Sequence, residues 1–540
     1  MSTGTVRDAA FEVLRRTGMT TIFGNPGSTE IPLLAGLPED LRFVLALHEG
    51  SVVGMATGWA LAGRGPALTV LHTTAGLGNA VSAIATARVN RAPLVVLVGQ
   101  QDRRHLALEP FLAGRLHGLA GEYPVWTDQP VRAQDVPGAI ARAAHEAVTG
   151  RGPAIVIVPM DDWSAPWDGT VEAAPAAVLR PAAVADEEIA PLAALLAQAE
   201  DPVLVAGAGA DSPAGWAALT ELAERLGCPV WQEAFGARAG FPQDHPQFAG
   251  VLPADRGGQR RALKGHDVVL AVGAPVFRHY PYDPGPLVQP GTRIAVVSDD
   301  PAEVHRSPAE LAVLADPAAV CARLARLIPA ARRRREVAGP DRRAVPPPAP
   351  GAPLRAVHVL QELARRLPPE TVVIEEAPSS RADLHRLLPA RRPLGFLSAA
   401  MGGLGFALPA AAGLRMALPE RPVVAVVGDG SAIYGIQALW SAAHYRIGAL
   451  IVVLANGRYA IMDRLAERHA GGPGAARVPW PAFPEVSLSA MARSFGCPAI
   501  RIDTHDRLVA VLDEIVPDLA SRTEPLLLDI GVAPDAEFHP

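Results

Sequence analysis

Cysteine is scarce in this chain. Cys228, Cys321 and Cys497 are spread over 540 residues, too few and too far apart for a disulfide framework or a CxxC metal site. A reducing, cytoplasmic setting is therefore expected. Positive charge is also short: 49 Lys and Arg stand against 55 Asp and Glu, a net charge of −6, so no global positive field draws the chain to nucleic acid or an anionic membrane. No apolar run is long and unbroken. The most apolar stretch, 396–414, is interrupted by Gly402, Gly403, Gly405 and Pro409 without the flanking anchors of a membrane span, and reads as buried loop and helix. The first eighteen residues lack the apolar centre of an export signal and read as an amphipathic helix. These absences leave a small molecule as the expected partner.

What is present is an ample core. A hydrophobic content of 49% with 19% charge is that of a globular protein, and the length calls for about three domains. Short apolar runs ending in Gly, Pro or Asp alternate with Ala- and Leu-rich helical stretches, the pattern of parallel α/β sheets buried on both faces. Strands are expected at 67–71, 94–98, 154–158, 203–206, 268–272, 293–297, 371–374, 423–427, 450–454 and 526–530. Periodicity fails near 162–185 and again at 330–353, where ARRRREVAGPDRRAVPPPAPGAP joins basic residues to a proline run. Given the acidic whole, that basic run reads as a solvated linker rather than a nucleic-acid site. The expected fold is three α/β domains, each a parallel sheet flanked by helices, over 1–175, 185–329 and 354–540.

Candidate chemistry starts at RPVVAVVGDGS, a buried strand running into Gly428-Asp429-Gly430-Ser431 and then a helix. Glycines there let backbone N–H groups approach a phosphate. Asp429 supplies a hard oxygen, and the strand ALIVVLANG delivers Asn456 twenty-seven residues later, at a second strand end. Two such oxygens suit Mg²⁺, which combines a few protein groups with substrate phosphates, and Ca²⁺ is the alternative. A plain tight turn is the competing reading of Gly-Asp-Gly alone. In the middle of the chain VLVAGAGADSPAG carries a dinucleotide-like GxG without the third glycine at the right step, so a flavin is not expected.

The GDG-to-Asn pattern resembles the thiamine-diphosphate signature. TIFGNPGSTEIPLL (21–34), LALHE (45–49), LHTTAGLGNA (71–80), GHDVVLAVGAPVF (265–277), YDPG (282–285) and GGLGFALPAA (402–411) extend the likeness over nearly the whole chain. Together they resemble the thiamine-diphosphate-dependent 2-oxo-acid decarboxylases of the benzoylformate decarboxylase type. The resemblance implies that Asp429, Asn456 and the carbonyl of Arg458 hold the metal, although Ala455 stands where the family usually has another Asn. It implies that Glu49 protonates the cofactor's aminopyrimidine ring, against the alternative of an ordinary Glu at a helix start. Ser28 and His72 would face the substrate's carboxylate and carbonyl, and Leu404 would prop the cofactor into its bent form. Further cofactor contacts fall to Asn25, Pro26, Gly27, Asn79, Ser379, Ser380, Gly402, Gly428, Gly430, Ser431, Tyr434 and Tyr459.

The implied reaction is non-oxidative decarboxylation of a 2-oxo acid to an aldehyde through an adduct at thiamine diphosphate C2. Carboligation is the alternative outcome. An inactive cofactor-binding homologue and an oxidoreductase built on the middle segment are the readings from other classes. Because Glu49 and the diphosphate residues lie in different domains and meet across a subunit boundary in this family, a homodimer is the least assembly implied, and a homotetramer is expected. The family's second active-site histidine matches Tyr280 without a gap, with His279 one residue earlier, and the sequence leaves both open. Ser398, Ile461, Met462 and Leu465 stand at the family's phenyl-binding positions without an aromatic among them, so an aliphatic or substituted 2-oxo acid is expected to outperform benzoylformate.

Overall fold

A computed structural model describes residues 4–63, 65–169, 183–331, 335–472, 474 and 477–534. Within them the chain forms three six-stranded sheets in succession, each drawn from its own stretch of chain, and every pairing between strands is parallel. In spatial order the first sheet is Arg42–Leu45, Thr21–Asn25, Ala67–Leu71, Leu94–Gln100, Pro153–Pro159 and Trp126–Asp128. The second is Leu311–Leu314, Arg293–Ser298, Val268–Val272, Pro202–Ala206, Val230–Gln232 and Phe248–Val251. The third is Phe396–Ser398, Val372–Glu376, Val423–Gly428, Leu450–Ala455, Leu526–Gly531 and Ala499–Ile502.

All ten strands expected from the sequence are present, as is the amphipathic first helix, Val6–Thr17, with Thr5 and Asp8 capping each other and Gly18 closing it at φ 74°. The strands without a sequence signal include both edges of every sheet. Most of these edge strands are short and partly exposed, so they lack the continuous apolar run that marks a strand covered on both faces, whereas Phe396–Ser398 is buried but only three residues long. The 396–414 stretch becomes strand Phe396–Ser398, a loop, and helix Ala407–Ala417. Among the described residues no helix is long and apolar enough to cross a membrane.

Of the break near 162–185, residues 170–182 lie outside the described residues, as do 332–334 of the basic segment at 330–353. The described part of that second segment is irregular and largely exposed, yet it is fastened. Arg342 donates to Arg386 O and Gln243 O at 2.9 and 2.8 Å, and Gln361 exchanges two hydrogen bonds with the backbone of Val345. The solvated linker expected here is therefore also tied down, by its own Arg342 reaching backbone carbonyls on either side and by Gln361 pairing the backbone at Val345.

The first and third sheets meet through two helices, Glu49–Leu61 and Ala407–Ala417, both buried nearly all round. Their backbones approach so closely that a Cβ added to Gly58 would lie 2.2 Å from Ala410 O, and one added to Gly413 would lie 1.8 Å from Met55 O. Beside this seam Asn90 accepts from Ala400 N and donates to Ser398 O, while Ser441 and Tyr445 bond the backbone of Leu45. This packing fixes where the helix that starts at Glu49 points. Gly58→Ala should therefore cost about 1–3 kcal/mol in equilibrium unfolding through overpacking. Gly78→Ala, on a helical position with no atom within 4 Å of the added methyl, should be neutral or stabilising by about 0.4–1 kcal/mol. Equal denaturant midpoints for the two variants would contradict this account of the seam.

Candidate active site

Parallel sheets deliver the carboxyl ends of their strands to one edge, where ligands of such folds bind. At that edge of the first sheet, strand Thr21–Asn25 ends in Asn25, strand Ala67–Leu71 runs into His72, and Glu49 opens its helix after the cap residue His48. Glu49 is 8% exposed. Asn25 Nδ2 donates to its Oε1 at 3.0 Å and Asn79 Nδ2 to its Oε2 at 3.1 Å. Among the described residues no cation pairs with it. A carboxyl held by two neutral amides is oriented without being committed to a salt bridge.

His72 is held from one side. Its Nδ1 lies 3.0 Å from Glu30 Oε2 and 3.0 Å from Thr29 Oγ1. Glu30, 2% exposed, also accepts from Gly27 N at 2.7 Å, which closes the Asn25-Pro26-Gly27-Ser28 turn under the histidine. Both contacts fall on Nδ1, which orients the ring from that side. Thr73, next in the chain, adopts φ 39°, an uncommon conformation for a β-branched residue, at the sharp entry into helix Thr73–Val89. Ser28 is exposed beside it.

At the third sheet, Gly428 ends one strand and pairs with Leu454 near the end of the next, so Asp429 and Asn456 stand side by side as the sequence spacing implies. Asp429 accepts from Gly430 N at 2.8 Å, Asn456 N at 2.8 Å and Gly457 N at 2.6 Å. Burial pushes its carboxyl above the ordinary range, and these three N–H groups oppose that shift. Asn456 Oδ1 accepts from Arg458 N at 3.2 Å, while the Arg458 guanidinium pairs with Asp463 at 3.1 Å. Among the described residues no group of three or more His, Cys, Asp and Glu is placed to hold a metal ion by itself. The Asp429 carboxylate and the Asn456 amide at this edge are hard oxygen donors of the kind an octahedral cation takes, and too few to complete its sphere without a diphosphate and water.

A cleft of about 360 Å³ opens at the same edge, lined by Ser379, Ser380, Asn456, Ile461, Arg464 and Val532 among others. Ser379 Oγ accepts from Ile461 N at 3.1 Å, tying the strand end to helix Ala460–His469. Gly430 and Ser431 are buried in the first turn after Asp429. Around them large side chains stand open: Tyr434 (58%), Tyr459 (39%), with its ring edge on Phe483, and Leu404 (37%), between Gly402 at φ 75° and Gly405 at φ 89°. Among the described residues no hydrogen bond or ion pair joins Asn25, Glu49 or His72 to Asp429, Asn456 or Ser379.

The structure separates His279 from Tyr280. Arg278 donates to Phe235 O and to Ala400 O at 3.2 and 3.1 Å, which docks the segment onto the loop before Leu404. His279 Nε2 is buried without a partner, and burial followed by repulsion from Arg256 lowers the pKa of the ring. Tyr280 is 55% exposed. Ser398 is corrected: it is buried, its Oγ is bonded by Arg381 at 3.3 Å and reaches Gly236 O at 3.4 Å, and it forms no open pocket wall. Ile461 lines the cleft and Met462 is exposed near it. In the middle segment the glycines of the GxG turn serve backbone packing, since a Cβ on Gly207 or Gly209 would sit 2.7 and 2.8 Å from the backbone of Gly273.

Three residues near these clusters carry no signal in the sequence. Glu30 is one of several polar residues after a turn, and only the fold brings it to His72 over 42 positions. Arg464 sits on a polar helix face. Glu376 ends an apolar strand candidate in a Glu-Glu pair, and accepts from Gly405, Phe406 and Ala407; burial pushes it up to about 7.

Three family models match the chain in order: the thiamine pyrophosphate enzyme N-terminal TPP binding domain at 4–121, the central domain at 189–324 and the C-terminal TPP binding domain at 378–530. Benzoylformate decarboxylase of Pseudomonas aeruginosa is 38% identical over 97% of this chain and 98% of its own. Among solved structures, a thiamine diphosphate-dependent 4-hydroxybenzoylformate decarboxylase of Rhodococcus jostii superposes with a TM-score of 0.92 at 34% identity, covering 99% of this chain and 100% of that one. The benzoylformate decarboxylase of Polynucleobacter necessarius superposes at 0.93 and 31%, covering 99% of both. Likeness that runs from end to end, through all three sheets and both strand-end clusters, has one source: the chain belongs to the thiamine-diphosphate-dependent 2-oxo-acid decarboxylase family.

Proposed function

We propose that the chain decarboxylates a 2-oxo acid to an aldehyde and CO₂ with thiamine diphosphate and Mg²⁺. The observation that carries this is Glu49, a buried carboxyl held by two amides, in a chain 38% identical over nearly its full length to a benzoylformate decarboxylase. Bound thiamine diphosphate supplies a nucleophilic carbon and an electron sink for the carboxylate's departure. The chain supplies placement and protons. Asp429, Asn456 and the Arg458 carbonyl would hold the metal, with Ser379, Ser380, Gly430, Ser431 and Tyr434 around the diphosphate. Glu49 would exchange a proton with the aminopyrimidine, with Asn25 and Asn79 keeping its two oxygens in place. His72, oriented through Nδ1 by Glu30, would present Nε2 to the substrate's oxygen beside Ser28, and His279 would serve a later proton transfer.

We assign the family's homotetramer, in which the Glu49 cluster of one chain would meet the Asp429 cluster of another. In this reading residues 1–175 bind the pyrimidine end of one cofactor, 354–540 bind the diphosphate of another, and 185–329 join them; the enzyme is cytoplasmic. The substrate wall rests on Ile461, Met462 and Leu465, which are aliphatic, so a phenyl ring gains area burial but no ring partner.

Three outcomes test this reading. Asp429→Ala should lose metal-dependent retention of thiamine diphosphate in calorimetry, and an affinity equal to that of the unaltered protein with Mg²⁺ present would sink the metal assignment. Glu49→Gln should bind the cofactor yet turn over slower by about 10²–10⁴, the range of general acid–base catalysis; near-normal C2 proton exchange in that variant would remove Glu49 from the chemistry. In a panel of 2-oxo acids assayed for CO₂ release, benzoylformate should trail the best aliphatic or substituted acid in kcat/KM by about tenfold to a few hundredfold, the 1–3 kcal/mol that pocket methyl groups discriminate. Benzoylformate ranking first by a wide margin would refute the pocket argument.

A further inference from the structure

Glu376 is an expensive residue to bury. It lies at the carboxyl end of strand Val372–Glu376 and is 5% exposed, and among the described residues no cation pairs with it. What holds it is three backbone donors in succession: Gly405 N reaches Oε1 at 2.6 Å, while Phe406 N and Ala407 N reach Oε2 at 2.8 and 2.6 Å. Phe406 is the N-cap and Ala407 the first residue of helix Ala407–Ala417, whose leading N–H groups no intrahelical carbonyl can satisfy, and Gly405 is the loop residue just before the cap. Every partner is a donor, so the group is held through both of its accepting oxygens. An amide in the same place would turn an NH₂ group onto an N–H.

The residue so fastened is one step from Leu404. The loop around it is pinned on two further sides. A Cβ on Gly405 would lie 3.0 Å from Tyr434 Cβ, and one on Gly403 would lie 3.2 Å from Thr86 Oγ1 and 3.5 Å from Ser82 Oγ. Leu404 nonetheless keeps 37% of its surface open. A bulky aliphatic side chain held outward by a pinned backbone is suited to press on something that is not protein. Past Glu376 the same strand end continues into Ser379 and Ser380, so a single carboxylate links the backbone beside the diphosphate positions to the backbone that carries Leu404.

We propose that Glu376 is a positioning residue that sets the height and direction of Leu404 and, through Leu404, the geometry in which the cofactor's two rings meet. The proposal rests on the reading of Leu404 given above. Glu376 itself touches neither cofactor nor substrate; it acts by fixing three amides. Displacements of about 1 Å at a reacting centre are worth about 10²-fold in rate, so the loss of this anchor has a measurable consequence at C2 without the loss of cofactor binding.

The test compares Glu376→Gln, Leu404→Ala and the double variant in the holoenzyme with thiamine diphosphate and Mg²⁺. Amide hydrogen exchange at Gly405, Phe406 and Ala407 should accelerate by about tenfold or more in Glu376→Gln, the effect of losing about 1.4 kcal/mol of local protection. Deuterium exchange at C2 of the bound cofactor should slow by about 10–10²-fold, while calorimetric affinity for thiamine diphosphate stays within about threefold. In the Leu404→Ala background Glu376→Gln should add less than about twofold, because residues acting through one another are not additive. Glu376→Asp, which keeps the charge but falls one methylene short, should lie between and serves where the Gln variant does not fold. Unaltered amide exchange, or a full additional loss in the double variant, overturns the positioning role alone. A Leu404→Ala enzyme with normal C2 exchange overturns the reading of Leu404 and this proposal with it.

Discussion

Burying a carboxylate is costly unless donors converge on it, and this constraint shapes the strand ends of the first and third sheets. Asp429 takes three backbone N–H groups, Glu376 takes three, Glu49 takes two amide NH₂ groups, and Glu30 takes a backbone N–H and a histidine. Leaving such a group without partners costs several kcal/mol, so each acid dictates the path of the backbone around it. Loops that would otherwise wander are thereby held within hydrogen-bonding tolerance, which is what chemistry at a strand end requires.

The scaffold that makes this possible is the parallel sheet repeated three times. Each sheet sends its strand ends to one side, and the close glycine contact between helices Glu49–Leu61 and Ala407–Ala417 locks the first sheet against the third. The helix carrying Glu49 is therefore aimed by backbone packing some turns away from the carboxyl it presents. The second sheet contributes at a distance, through Arg278 reaching Ala400 O and through Arg342 strapping the irregular segment across.

Much of this was legible along the chain, and unevenly so for a physical reason. Central strands such as Val268–Val272 and Val423–Gly428 are buried on both faces and must be continuously apolar, so they announce themselves. Edge strands such as Trp126–Asp128 and Ala499–Ile502 owe their existence to a neighbour's hydrogen bonds and carry no such run. The Asp429 and Asn456 pair was readable because both sit at ends of adjacent central strands, where chain spacing and spatial neighbourhood coincide. Ser398 was misread as a pocket wall, since its burial depends on Arg381 and Gly236 arriving from elsewhere in the chain.

Sequence alone determined the three parallel sheets, the absence of a positive field, and the residue types at the strand ends that suit a diphosphate and a proton transfer, because these follow from local composition, spacing and motif. Tertiary structure alone decided which nitrogen of His72 meets Glu30, that His279 is half-buried while Tyr280 is exposed, that Glu49 rests on Asn25 and Asn79, and that Glu376 holds the loop beside Leu404. Each of those is a contact between residues tens of positions apart, set by how strand ends line up and helices cross, and no local pattern of side chains encodes the direction in which a hydrogen bond is made.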